Sequence, residues 1–309
     1  MNSREAHGDA NRSRFCPEAA RRAALLLSAA FLVGCNRGIL DPVGPVAAAE
    51  KQILINSTAI MLAIIIPTMI ATVAFAWWFR AGNRKAKYRP DFEYSGAIEL
   101  VVWSIPALTV LLLGGIAWIG SHDLEPSKPL KSAVKPLEVD VVSLDWKWLF
   151  IYPEQGIATV NQLVVPAGTP VNYRLTSATV WNVFFVPQFG SMIYTMPRMA
   201  TRLNLHADRP GVYDGISAHF SGDGFPSMGF KAHVLPPEQF AVWAQGARGS
   251  GPVLDGRGYA DLSKPSSYVK PITYGAVAPG LFDAIVANRA PKSPVPSMLH
   301  NKPVPGSGA

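Results

Sequence analysis

Beyond Cys35 the 309-residue chain has no cysteine, and only Cys16 precedes it. Thiolate zinc sites, iron–sulfur clusters, cysteine nucleophiles and blue-copper centres all need cysteine sulfur, so none can be built in the body of the chain. A disulfide within it is excluded on the same ground. Charge is scarce as well. Asp, Glu, Lys and Arg make up 16% of the residues, against about 25% in soluble globular proteins. The 21 acidic residues are outnumbered by 28 Lys and Arg, for a net charge of +7. These cations form no single patch. They gather in the first 22 residues, between two apolar runs, and in the tail, a distribution that suits membrane topology rather than nucleic acid. No phosphate-binding loop and no Ser/His/Asp arrangement is legible.

What the chain does have is apolar runs. Arg12, Arg14, Arg21 and Arg22 precede the stretch Ala23 to Val33, which is too short to span a bilayer and has the form of a signal-peptide core. It ends in Leu32-Val33-Gly34-Cys35, the pattern of a lipoprotein cleavage site. Residues 1–34 are therefore expected to be a signal peptide, and Cys35 the lipidated (palmitate-bearing) first residue of the mature chain. Leu54 to Phe79 and Ile98 to Ile119 are long enough to cross the hydrocarbon core. Pro67 lies inside the first, and Trp77 and Trp78 close it as interfacial anchors do. Arg80, Arg84, Lys85, Lys87 and Arg89 fill the short connection, which marks it as cytoplasmic. Residues 35–123 thus read as a lipidated N-terminus and a two-helix hairpin whose ends both lie outside. The lipidation signal implies the same topology independently. The expected location is the bacterial inner membrane, with the C-terminal domain periplasmic.

Residues 124–136 are a Pro- and Lys-containing linker. The pattern then changes to short runs: Leu137–Leu144, Val171–Leu175, Trp181–Val186, Ala200–Leu205, Gly211–Ser217 and Gly229–Leu235. Turn signals such as Pro166-Ala167-Gly168 separate them. Short strands between Gly/Pro turns predict a β-sandwich or small barrel over 137–235. Residues 236–287 read as a helical arm, with a helix starting over Pro236 to Val242, and residues 288–309 as a disordered Pro/Ser/Gly-rich tail. The fold class is membrane-anchored α+β.

Three stretches then carry a resemblance: Leu124 to Pro129 (LEPSKP), Asp145 to Asn161 (DWKWLFIYPEQGIATVN) and Tyr213 to Ala218 (YDGISA). Together with the hairpin and the lipidation signal, the chain over Leu32 to Ala287 resembles subunit II of the haem–copper oxidases, in the quinol oxidase (cytochrome bo-type) branch. The resemblance implies a cupredoxin-like outer domain. In the cytochrome c oxidase branch that domain holds a dinuclear copper centre, CuA, on two bridging thiolates, two imidazoles, a thioether and a backbone carbonyl. Laid on that pattern, Asn182 stands at the first His, Ser217 and Ser221 at the two Cys, His219 at the carbonyl donor, Phe225 at the second His, and Met228 at the thioether. Hydroxyls are hard neutral donors and do not replace bridging thiolates. The resemblance therefore implies a copper-free subunit with no cofactor of its own. The haems, CuB, the ubiquinol site and oxygen chemistry would lie on subunit I and its complex, with no role for cytochrome c. Over Leu137–Leu235 seven acidic residues face six basic ones, too balanced to steer a basic carrier protein strongly. The rival expectation is a CuA-bearing electron carrier.

Glu99 opens the second apolar run from the cytoplasmic side. By position it can simply complement the helix N-terminus. The resemblance implies a second role, at the entrance of a proton path in the partner subunit. Trp146 and Trp148 are candidate anchors against subunit I rather than an electron relay. His206, His219 and His233 are scattered and give only a weak metal signal.

Overall fold

The computed structural model describes residues 38–87 and 89–291. Helix α1 (Pro45–Trp78) begins well before the apolar run, with Pro45 in its first turn, where the missing N–H costs nothing. Helix α2 (Gly96–Asp123) follows the basic connection. At 1.5 Å per residue they measure roughly 51 and 42 Å, more than the ~30 Å hydrocarbon layer. Both are long and apolar enough to cross a membrane, and their apolar windows are unburied by the rest of the chain. Ile65, Ile70, Val73, Leu108 and Leu111 accordingly face outward.

Thirteen strands follow, all but two short ones in two sheets. The inner sheet contains β1 (Leu137–Leu144), β2 (Lys147–Tyr152), β3 (Ile157–Val160), β5 (Pro170–Ser177), β8 (Thr201–His206) and β12 (Ile272–Tyr274) in the order β12-β3-β2-β1-β5-β8. The outer sheet contains β4 (Gln162–Pro166), β6 (Asn182–Val186), β7 (Gly190–Thr195), β9 (Gly211–Ser217) and β10 (Gly229–Leu235) in the order β4-β10-β9-β6-β7. Each sheet has one parallel pair, β1 with β5 and β4 with β10. The other pairings are antiparallel. The result is a β-sandwich, as the short runs predict, of the cupredoxin-like kind that the resemblance implies.

Its centre is aromatic. Trp148 and Phe150 from β2 meet Phe184 from β6 and Phe230 from β10, the last two rings stacked at 5.3 Å. These side chains alternate on one strand face, as period-2 burial requires. Yet β1 and β2 are buried on both faces. The reason is a third layer. Helix α3 (Pro237–Ala247) packs against β4 and β10 and joins the main core, whereas helices α4 (Gly256–Leu262) and α5 (Leu281–Val286), with strands β11 (Val253–Leu254) and β13 (Ala276–Val277), form the covering arm. Leu254, Tyr259, Leu262, Leu281, Phe282 and Ile285 of the arm cover Val142, Leu144, Leu149 and Ile151. Strand β12 extends the inner sheet beside β3. The arm is therefore an integral layer with its own apolar core.

Candidate functional site

At one end of the sandwich, strands β6, β9 and β10 and the loop after β9 converge. Asn182 opens β6 and is 1% exposed; Ser217 ends β9 and Met228 precedes β10, both buried. The Ser217 hydroxyl lies 3.3 Å from both Asn182 Oδ1 and the His219 carbonyl oxygen, which share its one proton. The Ser221 hydroxyl points at Met228 Sδ, 3.8 Å away. The Asn182 amide donates to Ser143 Oγ at 3.4 Å and to the Val180 carbonyl at 3.3 Å. Five of the six positions that the resemblance singled out thus share one hydrogen-bonded pocket. The sixth, Phe225, sits in a 3-10 turn over Phe225–Ser227, its ring 5.6 Å from that of Phe220.

The donor set is wrong for a dinuclear copper centre. It offers an amide, two hydroxyls, a thioether and a carbonyl, with no thiolate and no inward imidazole. Hydroxyl oxygens do not bridge soft copper ions. The imidazole of His219 is exposed and lies against the Tyr194 ring at 5.7 Å. His206 lies beside Asp208, Nε2 to Oδ1 3.2 Å. Burial, and Lys231 after it, push the His233 imidazole below its usual range. Among the described residues no three His, Cys, Asp or Glu side chains converge.

The pocket is framed from below by the β1–β2 turn. Trp146 has φ +65° there, and its indole N–H donates to the Ser221 carbonyl at 2.9 Å. A Cβ on Gly224 would fall 2.2 Å from that ring, so this position must stay glycine. Trp148 corrects an expectation: it is fully buried between the sheets. It can anchor the core but has no surface to offer a partner subunit. Trp146 is half-buried, its indole N–H committed to the loop. Glu99 lies in the first turn of α2, and its carboxylate accepts the Trp103 indole N–H at 3.0 Å. Cys35 lies outside the described residues.

Comparison with known proteins agrees with this geometry. Over 270 residues the chain is 46% identical to the cytochrome bo(3) ubiquinol oxidase subunit 2 of Pseudomonas aeruginosa, spanning 87% of this chain and 82% of that one. It is 48% identical over 256 residues to the cytochrome bo(3) ubiquinol oxidase subunit 2 of Pseudomonas putida, spanning 83% and 82%. Against the ubiquinol oxidase subunit 2 of Acetobacter aceti it is 46% identical over 265 residues, spanning 85% and 86%. The chain belongs to the ubiquinol oxidase subunit 2 family. A family profile described as COX Aromatic Rich Motif also matches residues 248–289, most of the arm that covers the inner sheet.

In this chain the arm is fastened by residues that sequence reasoning passed over. Lys147 is 1% exposed. Its ammonium donates to the Lys264 carbonyl and Ser266 Oγ, both at 2.8 Å, and to the Asp145 carbonyl at 3.2 Å. Burial pushes its pKa down to about 8, against a smaller opposing effect of Asp145. The Asn161 amide reaches the Val269 carbonyl at 2.8 Å. Arg174 pairs with the buried Asp140 through two bonds of 2.7 and 2.8 Å. It also reaches Asp283 at 3.4 Å and lies over the Phe282 ring. A signal for Lys147 existed. In β2 it shares a strand face with Leu149 and Ile151, and an apolar outer face implies a covering layer.

Proposed function

We propose that this chain is the redox-silent subunit II of a proton-translocating ubiquinol oxidase in the bacterial inner membrane. Its two helices pack beside a haem-bearing subunit I, and its sandwich sits on the periplasmic side. Quinol delivers electrons within the bilayer to subunit I, where the haems, CuB and oxygen reduction reside, so this chain needs no electron-carrying centre. The observation that carries the reading is the pocket chemistry. At the positions where a CuA subunit needs sulfur and imidazole, Asn182, Ser217 and Ser221 spend their polar groups on one another and on neighbouring acceptors. Cleavage before Cys35 and lipidation of its sulfur complete the picture, giving a multi-pass lipoprotein with its outer domain periplasmic.

Extraction of the complex in mild detergent tests this. Haem absorbance should travel with the chain, and the near-infrared charge-transfer band of a paired copper centre should be absent. Such a band arising from this polypeptide would favour the cytochrome c oxidase reading instead.

Within the same reading Glu99 delivers protons to the entrance of a path in subunit I. A carboxylate at the cytoplasmic end of a spanning helix is placed for that role. Glu99→Gln keeps an acceptor for Trp103 but has no exchangeable carboxyl proton. It should lower quinol oxidase turnover by about tenfold or more, a barrier increase of at least ~1.4 kcal/mol, while haem content stays unchanged. Normal proton uptake in an assembled Glu99→Gln complex would remove Glu99 from the path.

A further inference from the structure

The stretch Leu124 to Pro129, one of the three that carry the resemblance, takes no part in the copper-free pocket. It walls a second concavity instead. Past the outer end of α2, Asp123 to Lys131 cross the edge strands β7 and β8 and enclose a cavity of roughly 190 Å³. The sandwich fixes this wall. Asn204 on β8 is 9% exposed. Its backbone amide donates to the Pro126 carbonyl at 2.9 Å, and its side-chain amide donates to the Ser127 carbonyl at 2.9 Å. The Lys128 amide closes a turn onto the Glu125 carbonyl at 3.0 Å, and the Ser127 hydroxyl donates to the Glu125 carboxylate at 2.6 Å. On the opposite side the Glu50 carboxylate of α1 accepts the Ser191 amide at 2.9 Å and its hydroxyl at 2.7 Å. The lining is two-natured. Val46 is buried and Leu124 and Leu130 half-buried, whereas Asp123, Glu125, Lys128 and Lys131 are exposed. Lys128 lies 3.8 Å from Asp123.

We propose that this cavity seats the headgroup of an outer-leaflet phospholipid of the zwitterionic, phosphatidylethanolamine class. The inference rests on the two helices crossing the bilayer. Depth is the first argument. The apolar run of α2 ends at Ile119, and four further residues of an upright helix carry Asp123 about 6 Å beyond the hydrocarbon edge. The headgroup layer is about 5–8 Å thick on each side, so the cavity opens within it. Charge is the second. Lys128 and Lys131 are ammonium donors for a phosphate, and Asp123 and Glu125 are acceptors for an ammonium. The apolar residues cover the carbons between the two. A purely anionic headgroup would leave both carboxylates facing like charge. Size is the third. The cavity is smaller than the ~300–1,000 Å³ of pockets that engulf a whole small molecule, so it holds one headgroup while the acyl chains stay in the bilayer. The seated lipid braces the linker where it leaves α2 and meets the sandwich.

The test uses the whole oxidase, delipidated in mild detergent and given phosphatidylethanolamine with a photoreactive diazirine on the first carbons of one acyl chain. Crosslinked peptides are mapped by mass spectrometry. Label should concentrate on residues 123–131 and fall at least fivefold under a tenfold excess of unlabelled phosphatidylethanolamine. Phosphatidylglycerol and inorganic phosphate at the same excess should leave it in place. Lys128→Gln with Lys131→Gln should lower the label at least fivefold, whereas Lys128→Arg with Lys131→Arg should keep it, at unchanged haem content in both complexes. Competition by inorganic phosphate would show a simple anion site and overturn the lipid. Equal competition by phosphatidylglycerol would overturn the zwitterionic class. Label that ignores the glutamine pair, or spreads along the hairpin without enrichment at 123–131, overturns the site alone. A hairpin that takes no label anywhere overturns the spanning reading and the site with it.

Discussion

Between the sheets, Trp148, Phe150, Phe184 and Phe230 pack ring on ring at centroid distances of 5.1 to 6.3 Å. Two residues ahead of Phe184 and Phe230, and on the neighbouring β9, Asn182, Met228 and Ser217 make polar contacts of 3.3 to 3.8 Å, and Met228 also packs into the apolar core. Phe184 and Ser217 are direct partners across β6 and β9, so the two regions share a backbone and differ only in what hangs from it. The aromatic region removes large apolar areas from water. The pocket exchanges hydrogen bonds with water for long hydrogen bonds with itself, for little net gain. The stability of the scaffold therefore resides in the aromatic region, and the chemistry of the pocket can change without unfolding it.

The largest effect should come from breaking the aromatic side. Trp148→Ala opens a cavity beneath two stacked phenyl rings and should cost about 3–5 kcal/mol. Thermal or denaturant unfolding of the purified complex, followed by limited proteolysis of the outer domain, measures it.

Next in size is the arm, where burial of an ammonium sharpens the contrast. The folded-state pKa of Lys147, about 8, lies below its unfolded value of 10.5. Between those values the unfolded chain binds more protons than the folded one, so this group makes stability rise with pH. Below about pH 8 the lysine is protonated in both states and its contribution is flat. Across the window the change amounts to roughly 3 kcal/mol. Lys147→Met fills the same space without the charge and should abolish this rise while leaving the remaining pH dependence in place. Parallel unfolding curves for both chains from pH 7 to 10.5 decide it; an equal rise in both would show that Lys147 is not its source.

Sequence reasoning found the features that have a period or a sharp chemical identity. The runs Leu137–Leu144, Gly211–Ser217 and Gly229–Leu235 are strands to the residue, because alternation and flanking turns define them together. The start of α1 was missed by several residues, since Ala48, Ala49, Glu50, Lys51 and Gln52 favour a helix but lack the hydropathy by which a span is recognised. Strand β2 was hidden because both its faces are covered, so it alternates only in part. The pocket was legible only through resemblance, for nothing in the spacing of Asn182, Ser217, Ser221 and Met228 announces a site. The ion pair of Asp41 with Arg209 left no sequence signal either. An Asp and an Arg separated by more than one hundred and sixty positions become partners only through the fold.

The smallest expected effect closes the comparison from the pocket side. Ser217→Ala removes the one hydroxyl proton that Asn182 Oδ1 and the His219 carbonyl share at 3.3 Å. The cost should stay within about 1 kcal/mol, a fraction of that for Trp148→Ala. Such tolerance has a constructive consequence. If the pocket carries little of the stability, then Asn182→His, Ser217→Cys, Ser221→Cys and Phe225→His together should leave the sandwich folded. Met228 and the His219 carbonyl are already in place, and soft sulfur would again be available to bridge copper. Copper titration should then yield a purple centre with a near-infrared band. A folded, four-fold substituted chain that takes up no copper would show that the Phe225 turn or the loop after β9 has moved away from the geometry a metal requires, and that scaffold and pocket are less independent than their contacts imply.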